Sequence, residues 1–308
     1  MRAKAFCPGH ITGFFEICDE LSDPLRRGSR GAGVSITKGV LTEVTIEESS
    51  STKVQSYING KLSLAPVTRK VVSQMFALRK DRRDWQVSVR HDSQVPVGCG
   101  IGSSGAGAWG TALALNYLFQ LNLTHDRIGQ VAHQAEVDEK TGLGTVLAQQ
   151  KGGIEIRTSP GAPGIGHADQ LPFNPDLRIV YSSIGPISTR AMLSDPAVKA
   201  KINEFGAEYV QQLSNNASPK ELMSLSRRFA EQTQLLSREL RIGLELLDEH
   251  GFRDSSMALF GETIFSLVWI EEVETVADVL RQWNQKGETH SAEIDVIGAR
   301  LVECERDV

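Results

Sequence analysis

The chain has 308 residues, 40% of them apolar and 23% charged, which is enough apolar mass to bury a real core as one or two domains and excludes a disordered chain. Thirty-three basic against 38 acidic residues leave a net charge of −5 with no long basic run, so nucleic acid is not the expected partner. No apolar run approaches the roughly 20 residues of a membrane span, no charged-then-apolar leader opens the chain, and a membrane is likewise not expected as a partner. The four cysteines, Cys7, Cys18, Cys99 and Cys304, form no C-x-x-C pair, and the seven histidines show no ligand spacing, a pattern that suits reduced thiols in the cytoplasm.

In chain order, the pattern predicts strands at 34–37 and 41–48, a helix over 66–78, and a strand in which Trp85, Val87 and Val89 alternate with Gln86, Ser88 and Arg90. A glycine-rich loop leads from there into a helix. A second helix follows, capped by Thr124, with Asp126 in its first turn and Ile128, Val131, Ala132 and Ala135 at helical spacing. A short strand is expected at 152–157. The breaker cluster Pro160-Gly161-Ala162-Pro163-Gly164 then places a boundary between domains 1–163 and 164–308. In the second domain, 177–183 reads as a buried strand. Ser218-Pro219-Lys220-Glu221 reads as a helix start with Glu221 reaching back to the cap, its apolar spacing running to Leu247 and Gly251 ending the helix. The segment 255–263 interrupts the helical pattern, with Gly261 free to approach a ligand; a helix over 273–283 and a strand at 294–302 finish the chain. The expected class is mixed α/β in the first domain and helix-rich α+β in the second.

The informative stretch is Pro96-Val97-Gly98-Cys99-Gly100-Ile101-Gly102-Ser103-Ser104-Gly105-Ala106-Gly107. Five glycines and two serines in its last ten positions exceed what a tight turn needs, and they bare backbone N–H groups at the positive end of the following helix, where a polyphosphate binds. Gly100 to Gly105 also fit G-x-G-x-x-G, but a dinucleotide site wants an acid-tipped strand about 20 residues on, and a helix stands there instead. No lysine follows the glycines, so the G-x-x-x-x-G-K-[ST] loop is excluded as well. Cys99, inside the loop, reads as a small buried thiol.

The pattern from Pro96 to Ser104 resembles the nucleotide loop of the galactokinase, homoserine kinase, mevalonate kinase and phosphomevalonate kinase (GHMP) superfamily. Four further blocks are similar to the archaeal pantoate kinase family within it. They are Phe6-Cys7-Pro8-Gly9-His10-Ile11-Thr12-Gly13-Phe14-Phe15; Asp23-Pro24-Leu25 leading to Gly28-Ser29-Arg30-Gly31-Ala32-Gly33; Ala135-Glu136 followed by Thr141-Gly142-Leu143-Gly144; and Ser255-Ser256-Met257-Ala258-Leu259-Phe260-Gly261-Glu262-Thr263. The resemblance implies the GHMP kinase fold, a two-layer architecture with a nucleotide-binding first domain and a ferredoxin-like second one. It also implies ATP and Mg2+ as cofactors, and phosphorylation of pantoate to 4-phosphopantoate for coenzyme A synthesis in an archaeon. It admits a homodimer.

Site residues follow from the same resemblance. ATP is assigned to Pro96, Gly98, Gly100, Ile101, Gly102, Ser103, Ser104, Gly105, Ala106 and Gly107, and the metal to Ser104, with Ser103 as its neighbour, and Glu136. Helix geometry agrees, since Glu136 stands about 80° from the centre of its helix's apolar face and can lean into a cleft. Where superfamily members carry a basic aspartate seven residues before Gly152-Gly153, this chain has Thr145, which cannot be a base near neutral pH but can hydrogen-bond the attacking hydroxyl. For the acceptor, His10, Thr12, Ser29 and Arg30 are the candidates, with Arg157 as the second cation and Gly261 for close approach. Ser103 and Ser104 also suit simple helix capping, which can coexist with phosphate binding. The readings kept beside pantoate are another small acceptor, homoserine or mevalonate, a nucleotide-binding regulator that has lost catalysis at Thr145, and a dinucleotide enzyme.

Overall fold

The computed structural model describes residues 1–81 and 83–305. The first half runs β1 (Arg2–Cys18), β2 (Gly28–Ser49), β3 (Lys53–Ile58), β4 (Lys61–Ser63), α1 (Pro66–Ala77), β5 (Asp84–Ser93), α2 (Ser103–Leu118), α3 (His125–Glu139), α4 (Thr145–Lys151), β6 (Ile154–Ser159) and β7 (His167–Gln170). The second half runs β8 (Leu177–Pro186), α5 (Thr189–Ser194), α6 (Pro196–Asn215), α7 (Pro219–Gln232), α8 (Arg238–Glu249), β9 (Ser255–Met257), β10 (Gly261–Trp269), a 3-10 turn, α9 (Val273–Trp283), β11 (Thr289–Glu293) and β12 (Arg300–Glu305). Among the described residues no helix is long and apolar enough to cross a membrane.

Eight strands form one sheet, ordered β12-β1-β2-β5-β3-β4, with β6 added on the first part of β2 and β7 beyond it; β11-β8-β10-β9 form a second sheet of four. The two strands predicted at 34–37 and 41–48 are parts of the single strand β2. The break that the sequence suggested there is a bulge against β1, where the register shifts between Pro8 and Gly9 and Gly39 packs on the Cys7 carbonyl. β2 is thereby shared, its start pairing β6 and its end pairing β5. The predicted final strand lies later, as β12, and it returns to β1 rather than completing the second half; 295–299 make a turn in which Asp295 Oδ1 accepts from the Ile297 and Gly298 N–H groups. β7, beyond residue 163, still pairs with β6, so the chain leaves the first sheet only after residue 170 and β12 returns to it; we propose 1–163 and 164–308 as the two domains with those two strands crossing the boundary.

The helix expected from Ser218 to Leu247 is two helices. Gln234 takes a positive φ of 58°, and Ser237 starts α8 by accepting from the Leu240 N–H. The apolar spacing continued across this break because Leu222, Leu225 and Phe229 of α7 and Leu240, Leu244 and Leu247 of α8 enter the same core. Ser218 caps α7 as expected, but the Glu221 carboxylate accepts from Asn216 Nδ2 at 3.0 Å instead of reaching back to the cap.

Two buried clusters flank the site. In one, Val44, Val87 and Val89 of the sheet close on Val71 and Met75 of α1 and on Ala112 and Leu115 of α2, a helix so rich in Ala and Gly that it is buried nearly all round. In the other, Phe14 and Phe15 of β1 reach the second half: Phe14 meets Tyr209 edge-on at 5.9 Å between centroids, and Phe15 meets Phe260 at 5.4 Å. Each such ring contributes about 1.5–3 kcal/mol by burial. These contacts hold the Leu259-Phe260-Gly261 turn over the glycine loop.

Candidate active site

A cleft of about 510 Å³ opens where β1, the glycine loop, α3, the loop before α4, β6 and α5 meet. On one wall Gly98, Gly100 and Gly102 take φ of 79°, 78° and 64°, left-handed values that favour glycine. Gly102 is the N-cap of α2 and supplies no side-chain acceptor, so the capping role open to Ser103 and Ser104 is not taken up. The first turn of α2 faces the cleft without a side-chain cap, as anion binding requires. Gly98, Gly100, Ile101, Gly102, Ser103, Ser104, Gly105 and Gly107 all line the cleft, whereas Pro96 and Ala106 do not; Ala106 faces the core. Cys99 is buried, and burial raises its thiol pKa, as a structural cysteine should behave.

The loop is held from behind by groups that its own composition did not announce. His10 N–H donates to the Ile101 carbonyl at 3.1 Å, and Gln149 Nε2 donates to the carbonyls of Pro8 and Gly102 at 2.9 Å each. Thr263 Oγ1 donates to the Cys99 carbonyl at 2.8 Å. Gly261 belongs to this support: a Cβ on it would overlap the Cys99 carbonyl, so its close approach is to the loop backbone and not to the acceptor.

Ser104 and Glu136, 32 residues apart, are brought together. Ser104 Oγ donates to Glu136 Oε1 at 2.5 Å, and Thr141 Oγ1 donates to the same oxygen at 2.7 Å. Glu136 is 2% exposed, and burial raises its carboxyl pKa while the two hydroxyl bonds pull it down; no cation contributes. Gly142 leaves room for the other oxygen, since a Cβ there would stand 2.5 Å from Glu136 Oε2. A buried carboxylate and a hydroxyl, both hard oxygen donors without a basic partner, fit a magnesium ion. Among the described residues no cluster of three His, Cys, Asp or Glu side chains forms a closed cage, and Mg2+ commonly takes its remaining ligands from water and substrate phosphate.

The opposite wall carries the acceptor candidates. Arg157 on β6 is 1% exposed and lines the cleft; its Nη1 donates to Glu155 Oε1, and its Nε is buried without a partner. His10 Nε2 donates to the same Glu155 oxygen at 2.8 Å, and Thr12 Oγ1 stands 3.4 Å from His10 Nδ1. Burial lowers the His10 pKa against the opposing pull of Glu155, so the ring is neutral near pH 7. Ser29 lines the cleft, and a Cβ on Gly144 would overlap its hydroxyl and approach Arg157 Nε to 2.8 Å. Arg30 is not in the cleft. The pleat of β2 sends it to the side opposite Ser29, where it pairs with Glu16. Thr145, the first residue of α4, lines the cleft beside Gly102.

Sequence reasoning missed Glu155, Gln149, His91 and Arg190. His91 lines the cleft with Nδ1 at 2.9 Å from Thr42 Oγ1 and Nε2 at 2.9 Å from Thr68 Oγ1. Arg190, on α5, lines the cleft too and donates to Glu139 Oε2 at 2.8 Å. The one available signal was Glu155: an acid and a base two residues apart, Glu155 and Arg157, alternating with Ile154 and Ile156, place both charges on one face of a buried strand.

Residues 68–153 match the family model described as the GHMP kinases N terminal domain. A solved complex of MDDEF with MVAPP, AMPPCP and magnesium shares the fold at a TM-score of 0.76 and 14% identity, over 99% of each chain. That likeness shows the fold; the family match, with a pantoate kinase relative across nearly the whole chain, defines an ATP-dependent small-molecule kinase of the GHMP class. The chain is also 38% identical over 289 residues to the pantoate kinase of Thermococcus kodakarensis, covering 92% of this chain and 93% of that protein. A solved phosphotransferase related to the CoA biosynthesis pathway superposes with a TM-score of 0.86 at 36% identity, over 98% and 99% of the two chains. The chain belongs to the pantoate kinase family.

Proposed function

We propose that the protein transfers the γ-phosphoryl group of ATP to the terminal hydroxyl of pantoate, giving 4-phosphopantoate and ADP for coenzyme A synthesis. One observation carries this reading: the uncapped start of α2 with the Ser104–Glu136 pair shares a single cleft with the buried Arg157 and Ser29. The first group suits a polyphosphate, and the second suits a small hydroxy acid. The family membership supplies the acceptor's identity.

The backbone donors of Gly102 to Gly105 hold the β- and γ-phosphates, and Ser104 and Glu136 hold Mg2+, whose charge offsets that of the triphosphate. Arg157 and Ser29 bind the acceptor's carboxylate and hydroxyls, with Arg157 Nε as the unpartnered donor, and fix its terminal oxygen toward the γ-phosphorus. Thr145 contacts the attacking hydroxyl. In a loose transition state such alignment and charge stabilisation supply most of the rate. A reducing, cytoplasmic setting is proposed from the cysteine spacing, which holds no C-x-x-C pair, and a homodimer on family resemblance alone.

The test is ADP formation from ATP with pantoate, homoserine and mevalonate offered separately. Turnover with pantoate is expected; turnover with another acceptor and none with pantoate overturns the assignment. ATP binding without turnover on any acceptor would favour a regulator.

A further inference from the structure

The transfer releases the proton of the attacking hydroxyl, and Thr145 cannot take it. Among the titratable side chains on the cleft, Glu136 is committed to Ser104 and Thr141, and both ring nitrogens of His91 face threonine hydroxyls. One chain of groups is left. Glu155 Oε1 accepts from His10 Nε2 at 2.8 Å, which leaves Nδ1 as the ring's acceptor, and Thr12 Oγ1 stands 3.4 Å from Nδ1. The His10 side chain is fully buried, whereas Thr12 is partly exposed and lines the cleft. β1 sets this order, because His10 and Thr12 are two residues apart and so share a face, and Thr12 pairs across with Gly33, which in turn pairs with Glu155.

We propose that Thr12, His10 and Glu155 form the proton-accepting relay of the phosphoryl transfer, an inference that rests on the kinase reading above. The acceptor oxygen forms its bond to the γ-phosphorus, and the bond from that phosphorus to the ADP oxygen breaks, its electron pair leaving with ADP. The hydroxyl proton passes to Thr12 Oγ as Thr12 passes its own proton to His10 Nδ1. Glu155 holds the ring and faces the imidazolium that forms; before transfer its charge is matched by Arg157. Burial keeps His10 neutral beforehand, ready to accept. The proton returns through Thr12 to water when the product leaves. Thr12 is the catalytic residue of the three, and His10 and Glu155 act through it.

The experiment measures kcat and KM for Thr12→Val, Thr12→Ser, His10→Asn and the Thr12→Val/His10→Asn pair, with ATP binding and thermal melting as controls for folding. Thr12→Val is expected to lower kcat by about 100-fold or more with little change in either KM, the usual worth of acid–base assistance. Thr12→Ser should keep most of the activity, and the double variant should lose no more than the worse single one, because the residues act as a unit. Wild-type kcat in Thr12→Val, or losses that multiply in the double variant, overturns the relay. Thr12→Val and Thr12→Ser decide the matter by themselves if the His10 variant does not fold. Absence of ADP from the unmodified protein with every acceptor removes the kinase reading and the relay together, a result distinct from an inactive Thr12→Val beside an active parent.

Discussion

Gly102→Ala tests the glycine loop with a single methyl group. Gly102 sits at φ 64°, a conformation that costs a residue with a Cβ about 1–2 kcal/mol. The new Cβ would also stand 2.9 Å from Thr145 Cγ2, 3.1 Å from Gln149 Nε2 and 3.2 Å from the His10 carbonyl oxygen. Relieving that crowding costs about 1–3 kcal/mol in a well-packed site, so the total is about 2–5 kcal/mol. Gly60 provides the control, since it has φ 77° and nothing within 4 Å of its Cβ position, and Gly60→Ala therefore reports the backbone cost alone. Urea unfolding gives both losses, and calorimetric titration gives ATP affinity. The expected result is a loss at Gly102 that exceeds the Gly60 loss by the crowding energy, together with weakened ATP binding caused by displacement of the α2 start. A Gly102→Ala variant as mild as Gly60→Ala, with unchanged ATP affinity, would refute the reasoning.

Two further outcomes follow from buried titratable groups. Glu136→Gln keeps the shape and both hydroxyl partners but removes the charge, so the Mg2+ concentration for half-maximal activity should rise by tenfold or so, about 1.4 kcal/mol, while thermal stability without metal holds or improves; an unchanged magnesium requirement would reject Glu136 as a ligand. His91 and His133 are each held down to about 4 by burial, from 6.5 in the unfolded chain. Between those values the unfolded chain binds more protons, so stability falls as the solution is acidified from pH 7 to pH 5, by about 2 kcal/mol for each histidine. Denaturant unfolding at the two pH values should show this fall, and His91→Asn should remove about half of it; a stability flat in pH would contradict the burial argument.

What the amino-acid order determined by itself was whatever a short stretch of backbone demands. Left-handed φ angles at Gly98, Gly100 and Gly102 need glycine, so the shape of the glycine loop is written in local composition. The same holds for the Thr124 cap of α3 and for α9, found at the residues its periodicity indicated. Glu136 was singled out by the family resemblance, and helical spacing agreed by putting it at the edge of an apolar face. Tertiary structure alone decided which distant groups meet. Arg30 was the first choice in sequence and Arg157 the second, and the pleat of β2 sent the first to Glu16 while β6 brought the second into the cleft. Likewise Gly261 serves Cys99 and Gly100, and Glu155 gathers His10 across 145 residues of chain. Strand register and helix docking set those meetings, and they are properties of the whole packed core that no local run of residues records.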